Sequence, residues 1–107
     1  MTPTESTVRR LAAALYPGRE VWAVHVPRRR ATIERYYILC GTTLHGHCTL
    51  GDGTTADGAW ASAEARCRRE IADAIARERR DRDRAQAEIE RLTAALERLT
   101  AALEVER

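Results

Sequence analysis

A chain of 107 residues leaves room for one domain and an appendage, since closing a core usually takes roughly 100 residues. Its 18 basic residues are all Arg and face 16 acidic ones, for a formal net charge of +2, which excludes a simple polycation drawn to nucleic acid or acidic membranes by its whole-molecule field. With 44% hydrophobic and 32% charged residues, the chain is neither disordered by composition nor able to supply the ~20 consecutive apolar residues of a spanning helix.

The first element is a helix opening at Thr2-Pro3-Thr4-Glu5. Thr2 can cap it, Pro3 suits a first position that needs no N–H partner, and Glu5 completes a capping box. Val8, Leu11, Ala12, Leu15 and Tyr16 recur at three- and four-residue spacing and give it one apolar face. Pro17-Gly18 ends it.

Glu20 to Val26 alternates as a strand, with Trp22, Val24 and Val26 on one face and Val21, Ala23 and His25 on the other. After a turn of Pro27 and three arginines, Thr32 to Cys40 alternates again and sets Ile33, Tyr37 and Leu39 opposite Thr32, Glu34 and Tyr36. Leu44 to Leu50 is a weaker third strand, in which Gly46 marks a bulge or a loss of strand stability.

The segment from Gly51 to Gly58 is a turn leading to a cap at Thr54 or Thr55, with Asp57 in the favourable first helical turn. Beyond Gly58 there is neither Gly nor Pro, which predicts one helix to the C-terminus, about 70 Å long at 1.5 Å per residue. Ala56, Trp60, Ala63, Cys67, Ile71 and Ile75 form a stripe able to cover a sheet face. Arg77 to Arg84 has no apolar stripe, and its charges fall four apart in opposite pairs: Arg69 with Asp73, Asp73 with Arg77, Arg77 with Asp81, Glu78 with Arg82, Arg79 with Asp83, Arg84 with Glu88. Arg66 with Glu70 extends the series. Such pairs make a self-supporting spacer and neutralise the guanidinium groups that phosphates need.

The heptad ERLTAAL then occurs twice in succession, at Glu90 to Leu96 and Glu97 to Leu103. Ile89, Leu92, Leu96, Leu99 and Leu103 alternate at three and four residues, the a/d seam of a coiled coil. A seam of five large aliphatics needs a partner, because each forfeits roughly 1.5 to 3 kcal/mol while exposed. The expectation is a homo-oligomer formed through this helix, with a protein partner, or a fold-back of the helix on its own domain, as the alternatives. Flanking positions Thr93, Ala95, Thr100 and Ala102 carry no charge to fix number or orientation. The organisation expected is a globular domain at 1–76, a charged spacer at 77–84 and an oligomerisation segment at 85–107.

Two groups of side chains invite chemistry. Arg28, Arg29 and Arg30, whose nearest acid is Glu34, form a basic hairpin tip suited to phosphate contact without sequence readout, and Arg9 and Arg10 on the polar side of the first helix can add to it. Cys40, His45, His47, Cys48 and Cys67 raise zinc, but their spacing is irregular and strand geometry turns His45 and His47 away from Cys48. No third group orients a Cys-His pair and no oxyanion loop is identifiable. Neither a metal, another cofactor nor an enzymatic activity is therefore expected. Three cysteines without a C-x-x-C pair suit a reducing compartment, and the opening residues lack the apolar stretch of an export signal, so the expected location is cytoplasmic. The Lys-free, Ala-rich usage fits high-GC coding in a bacterium or one of its viruses.

The order helix, three antiparallel strands, helix resembles the double-stranded RNA-binding domain. That family enters its second helix through G-x-G-x-[ST]-K-K-x-A-K-x-x-A, and Gly51, Gly53, Thr55, Ala59 and Ala63 stand at the corresponding places. The family's phosphate-binding lysines fall on Ala56, Asp57 and Trp60, while its groove-entering loop falls on Pro27 to Arg30. The resemblance implies an α+β fold over roughly the first 75 residues, with half of the RNA-binding chemistry present. The run from His47 to Thr54 is also similar to the strand-to-helix passage of HicB-type antitoxins, G-C-x-T-x-G-D-T. The expected role is a non-enzymatic, self-associating adaptor or regulatory protein; the alternatives are a nucleic-acid binder using Arg28 to Arg30 and an antitoxin-like inhibitor of a partner enzyme.

Overall fold

A computed structural model describes residues 1–30, 32–42 and 46–106. The chain is α+β: helix α1 (Pro3–Leu15), strands β1 (Glu20–Val26), β2 (Arg35–Thr42) and β3 (Gly46–Gly53), and helix α2 (Ala56–Val105). It divides into two units, Met1–Ala72 and Asp73–Arg107.

In the first unit, Thr2 caps α1, its hydroxyl accepting the Glu5 N–H at 3.1 Å. The expected capping box closes on one side only, since the Glu5 carboxylate takes Arg9 at 3.1 Å. The helix ends where Tyr16 N–H bonds the Ala12 carbonyl and Gly18, at φ 79°, supplies a left-handed turn that a side chain would strain.

The three strands form one antiparallel sheet in the order β1-β2-β3. β2 begins three residues later than its alternation predicts, at Arg35, and Ile33 is 71% exposed in the turn region. β3 runs to Gly53, beyond Leu50; Leu44 and His45, placed by the sequence reading at its start, lie outside the described residues. The register shift occurs opposite Ile38 and Leu39, which pair with Gly51 and Thr49. The extra residue is Leu50, buried on the same side as Cys48, and the bulge brings the next residue, Gly51, to that side too. Gly46, expected to mark the bulge, instead opens β3 at φ 79°.

Both helices lie on one face of the sheet. Val8 and Ala12 of α1, Ile38, Cys40 and Leu50 of the sheet, and Ala59, Trp60, Ala63 and Cys67 of α2 form a single buried cluster. The strand residues pointing into it are on the Val21, Tyr36 and Cys48 side, which packs against its margin. Trp22, Val24, Tyr37 and Leu39 therefore share the opposite face, onto which neither helix packs. Gly51 allows the close approach of α2: a Cβ there would fall 2.3 Å from the Ala63 nitrogen and 2.7 Å from the Ala59 carbonyl oxygen. Thr55, rather than Thr54, caps α2 by accepting the Gly58 N–H at 3.0 Å. Of the expected stripe, Ala56 is exposed and Ala59 takes its place, while Ile75 is exposed beyond the sheet unit.

The second unit is helical through Val105 and its residues are almost all exposed. No helix among the described residues is long and apolar enough to cross a membrane.

Candidate functional site

The hairpin between β1 and β2 is closed by a reciprocal pair of backbone bonds, Arg29 N–H to the Thr32 carbonyl at 3.3 Å and Thr32 N–H to the Arg29 carbonyl at 3.0 Å. This tight turn holds Arg30 at the tip; Ala31 lies outside the described residues. Arg28, Arg29 and Arg30 are all exposed and line an open concavity with Thr32, Ile33, Glu34 and Thr54. Among the described residues none of these three guanidinium groups has an ion-pair partner.

Glu34, the nearest acid, is engaged elsewhere. Its Oε1 accepts the Tyr36 hydroxyl at 3.0 Å and lies 2.5 Å from His25 Nε2. His25 stacks on Tyr36 with ring centroids 4.4 Å apart. The Tyr36 hydroxyl first, and His25 second, hold the Glu34 carboxyl below its ordinary range. The carboxylate in turn pushes the Tyr36 hydroxyl up. Glu34 is thus a partner of the strands and leaves the arginine cluster uncompensated.

The two arginines of α1 separate. Arg10 is exposed. Arg9 is bound into the fold: it pairs with Glu5, donates to the Val21 carbonyl at 2.7 Å, and sits 5.6 Å over the Trp60 ring. At the opposite edge Arg66 does the same for β3, donating to the Thr49 carbonyl while pairing with Glu70 at 2.9 Å. Each outer strand therefore has one carbonyl bonded by a guanidinium from a helix, which ties α1 to β1 and α2 to β3.

The three cysteines share the helix side of the sheet, and His47 does not join them. Cys40 and Cys67 are buried and Cys48 is half-buried on the helix side, whereas His47 is on the other face, edge-on to Trp22 at 5.9 Å. His45 lies outside the described residues. Burial raises the Cys40 and Cys67 thiols and keeps them protonated, a poor state for a nucleophile or ligand. Among the described residues no group of three His, Cys, Asp or Glu is placed to hold a metal ion.

No protein-family model matches the chain, and neither a curated protein nor a solved structure matches it. The glycines and alanines shared with the double-stranded RNA-binding domain have a packing role of their own. Gly51 and Gly53 leave room for the backbone of α2 at Ala59 and Ala63, and Thr55 caps that helix.

On α2 the charged segment is less paired than its spacing suggests. Arg66–Glu70 forms, Arg68 adds a bond to Glu64 at 2.9 Å, and Arg84 turns to Asp81 at 4.0 Å while Glu88 takes Arg91. The other expected pairs do not form among the described residues. Exposed pairs are worth at most about 1 kcal/mol against the entropy of two long side chains, so spacing alone does not hold them. In the same unit the seam residues are uncovered: Leu92 53%, Leu103 54%, Ile89 57%, Leu99 59% and Leu96 63% exposed.

Sequence reasoning missed Tyr16–Glu70. The Tyr16 hydroxyl donates to the Glu70 carboxylate and joins the end of α1 to α2. Two residues 54 positions apart leave no periodic signal.

Proposed function

We propose that this chain is a non-enzymatic, self-associating adaptor or regulatory protein, assembled through the C-terminal part of α2. The observation that carries this reading is the seam of Ile89, Leu92, Leu96, Leu99 and Leu103, more than half exposed at every position. Burying each side chain against a second copy contributes roughly 1.5 to 3 kcal/mol, and a helical segment of about 20 residues is marginal without such packing. The heptad repeat keeps the seam on one side across successive turns, as a coiled coil requires. The titratable groups whose ionisation is shifted, such as Glu34, Tyr16 and Glu70, serve contacts between strands and helices, in keeping with a binding rather than a catalytic role.

Mass in solution with and without residues 85–107 tests the reading. The full chain is expected as an oligomer and the shortened chain as a folded monomer; an unchanged subunit number overturns it.

A second reading is favoured by one observation, the three unpaired arginines around the open concavity at the hairpin tip. In that reading Arg28, Arg29 and Arg30 contact nucleic-acid phosphates, and base identity is not read; Arg10 is an exposed cation on α1. Arg9 contributes to the fold instead, through Val21 and Trp60.

A further inference from the structure

Two of the three cysteines stand directly opposite each other. Cys40 of β2 and Cys48 of β3 are register partners in the antiparallel ladder, and Cys67 of α2 joins Cys40 in the buried cluster. All three are free thiols. Residues facing each other across such a ladder have Cα atoms about 4.5 or 5.5 Å apart, according to their hydrogen-bonding class, and a disulfide spans about 4.4 to 6.8 Å. Their Cβ atoms, about 4.5 to 5.5 Å apart, need to close by at most about 1 Å. Register alone therefore brings this pair within bonding reach. The two thiols differ in access, since Cys40 is 1% exposed and Cys48 is half-buried at the margin of the cluster. Burial first, and Cys48 second, raise the Cys40 thiol; burial, then Glu70 and Cys40, raise Cys67. Arg66 donates to the carbonyl of Thr49, the residue after Cys48, and a charge at Cys48 acts on both Arg66 and Tyr16.

We propose that Cys40 and Cys48 are an oxidation site, at which a hydroperoxide oxidises Cys48 and Cys40 then closes a disulfide between β3 and β2. In the first step the Cys48 sulfur attacks the peroxide, the O–O bond breaks, one oxygen stays on sulfur as sulfenic acid, and the other leaves as water or an alcohol. In the second the Cys40 sulfur attacks the Cys48 sulfur, the S–O bond breaks, and the oxygen departs as water with the Cys40 proton. Two electrons pass from the sulfur pair to the peroxide. A dithiol reductant restores both thiols by exchange, so the modification is reversible.

Access sets the order of the steps. An oxidant reaches half-buried Cys48 before either buried cysteine, and the raised Cys40 thiol makes closure the slower step. Cys67 is left out because it comes from a helix whose position is fixed by Ala59 and Ala63 against Gly51, whereas the ladder brings Cys40 to Cys48 with no helix displaced. The bond ties the outer strand β3 to the central strand β2. The loop it closes is short, so it removes little entropy from the unfolded chain and suits a reversible modification better than a structural staple. The site lies wholly within the unit Met1–Ala72 and does not rest on self-association through the seam.

Hydrogen peroxide at sub-millimolar concentration is the probe, added to the reduced full chain, with intact mass and unreduced peptide maps as readouts. The expected product is a Cys40–Cys48 linkage within one chain, with Cys67 still open to alkylation after unfolding and the starting mass restored by dithiothreitol. Cys48→Ser loses the linkage, and its thiols oxidise about tenfold more slowly than those of the wild type. Cys40→Ser stops at a Cys48 sulfenic acid that dimedone traps. Cys67→Ser gives the wild-type linkage. Each variant is checked for its fold by circular dichroism; Cys40→Ala replaces Cys40→Ser should serine unfold the core, and the wild-type map decides without either. In urea the same peroxide is expected to give every pairing of the cysteines, because the register is lost. A linkage that includes Cys67 or a bond between chains in the folded protein overturns the proposal. So does a folded chain that keeps all its thiols while the unfolded chain oxidises, or a Cys48 that passes on to sulfinic acid with Cys40 still a thiol.

Discussion

The Arg9 guanidinium reaches from α1 to the Val21 carbonyl of β1, 2.7 Å away. One side chain thereby ties a helix to a strand and covers the Trp60 ring. Arg9→Met keeps the aliphatic stem and removes the donors. It is expected to cost about 1 to 2 kcal/mol in urea unfolding, the range for a hydrogen bond plus a cation–π contact. Unchanged stability would show that the contact is ornamental.

Gly51 and Gly58 are expected to respond differently to the same change. A methyl at Gly51 meets backbone of α2 at 2.3 Å, which cannot yield without moving the helix. Gly51→Ala should therefore cost roughly 3 kcal/mol or more, the upper range of overpacking. At Gly58 the nearest atom is the Thr55 hydroxyl, at 2.9 Å. Gly58→Ala gains helix propensity of about 1 kcal/mol and disturbs a cap of similar worth, leaving stability near its original value. Thermal melts of the two variants check the contrast.

The same glycines show how much was legible. β1, the limits of α1 and the long helix follow from local pattern, because caps, alternation and the absence of Gly or Pro act over a few residues. Which side of the sheet is buried does not. Trp22, Tyr37 and Leu39 make the more conspicuous apolar face, but Ile38 and Cys40 take the core, since that is where Gly51 admits α2. Alternation sets Leu50 on the buried side with Cys48, but the bulge that brings Gly51 to that same side, opposite Ile38, has no signal in it. At the candidate sites, Arg28 to Arg30 stand where the sequence puts them, whereas Arg9 is claimed by Val21, an acceptor twelve residues away. His47 and Cys48 part to opposite faces as strand geometry requires.

Tyr16 gives the fold a pH dependence with a definite sign. Its hydrogen bond to the Glu70 carboxylate, with burial second, pushes the hydroxyl from 10.0 up to about 12. The contribution is complete below about 10 and is lost as pH rises from there through about 12. Glu70 is held below its ordinary value by Tyr16 first and Arg66 next, so its contribution is present at neutral pH and is lost as acid protonates it. Tyr16→Phe should cost about 1 to 2 kcal/mol at pH 7, with the difference from wild type shrinking above pH 10. Urea midpoints across that range test it; a constant difference would separate the alkaline loss from Tyr16.

The proposed self-association through the α2 seam predicts a stability that depends on concentration. Mass action raises the melting temperature of an oligomer as protein is added, so the wild type should melt lower on dilution. Leu96→Asp sets a carboxylate at the most exposed seam position and should abolish the dependence and lower helix content near the C-terminus. A melting curve that ignores concentration in both proteins argues against the seam as an interface.

The hairpin arginines predict a salt slope if phosphates are their partners. Each neutralised phosphate of a duplex contributes about −0.9 to the slope of log affinity against log salt. Arg28→Ala/Arg29→Ala/Arg30→Ala removes up to three such contacts, so the slope should flatten by roughly 2 to 3. The substitutions fall outside the buried cluster and leave Glu34 on Tyr36 and His25, so unfolding should be unaffected. Binding to a short RNA duplex and a DNA duplex, each at several salt concentrations, measures the change. Equal slopes for wild type and variant would remove the hairpin from the contact, and binding too weak to measure at low salt would leave the protein-binding reading alone.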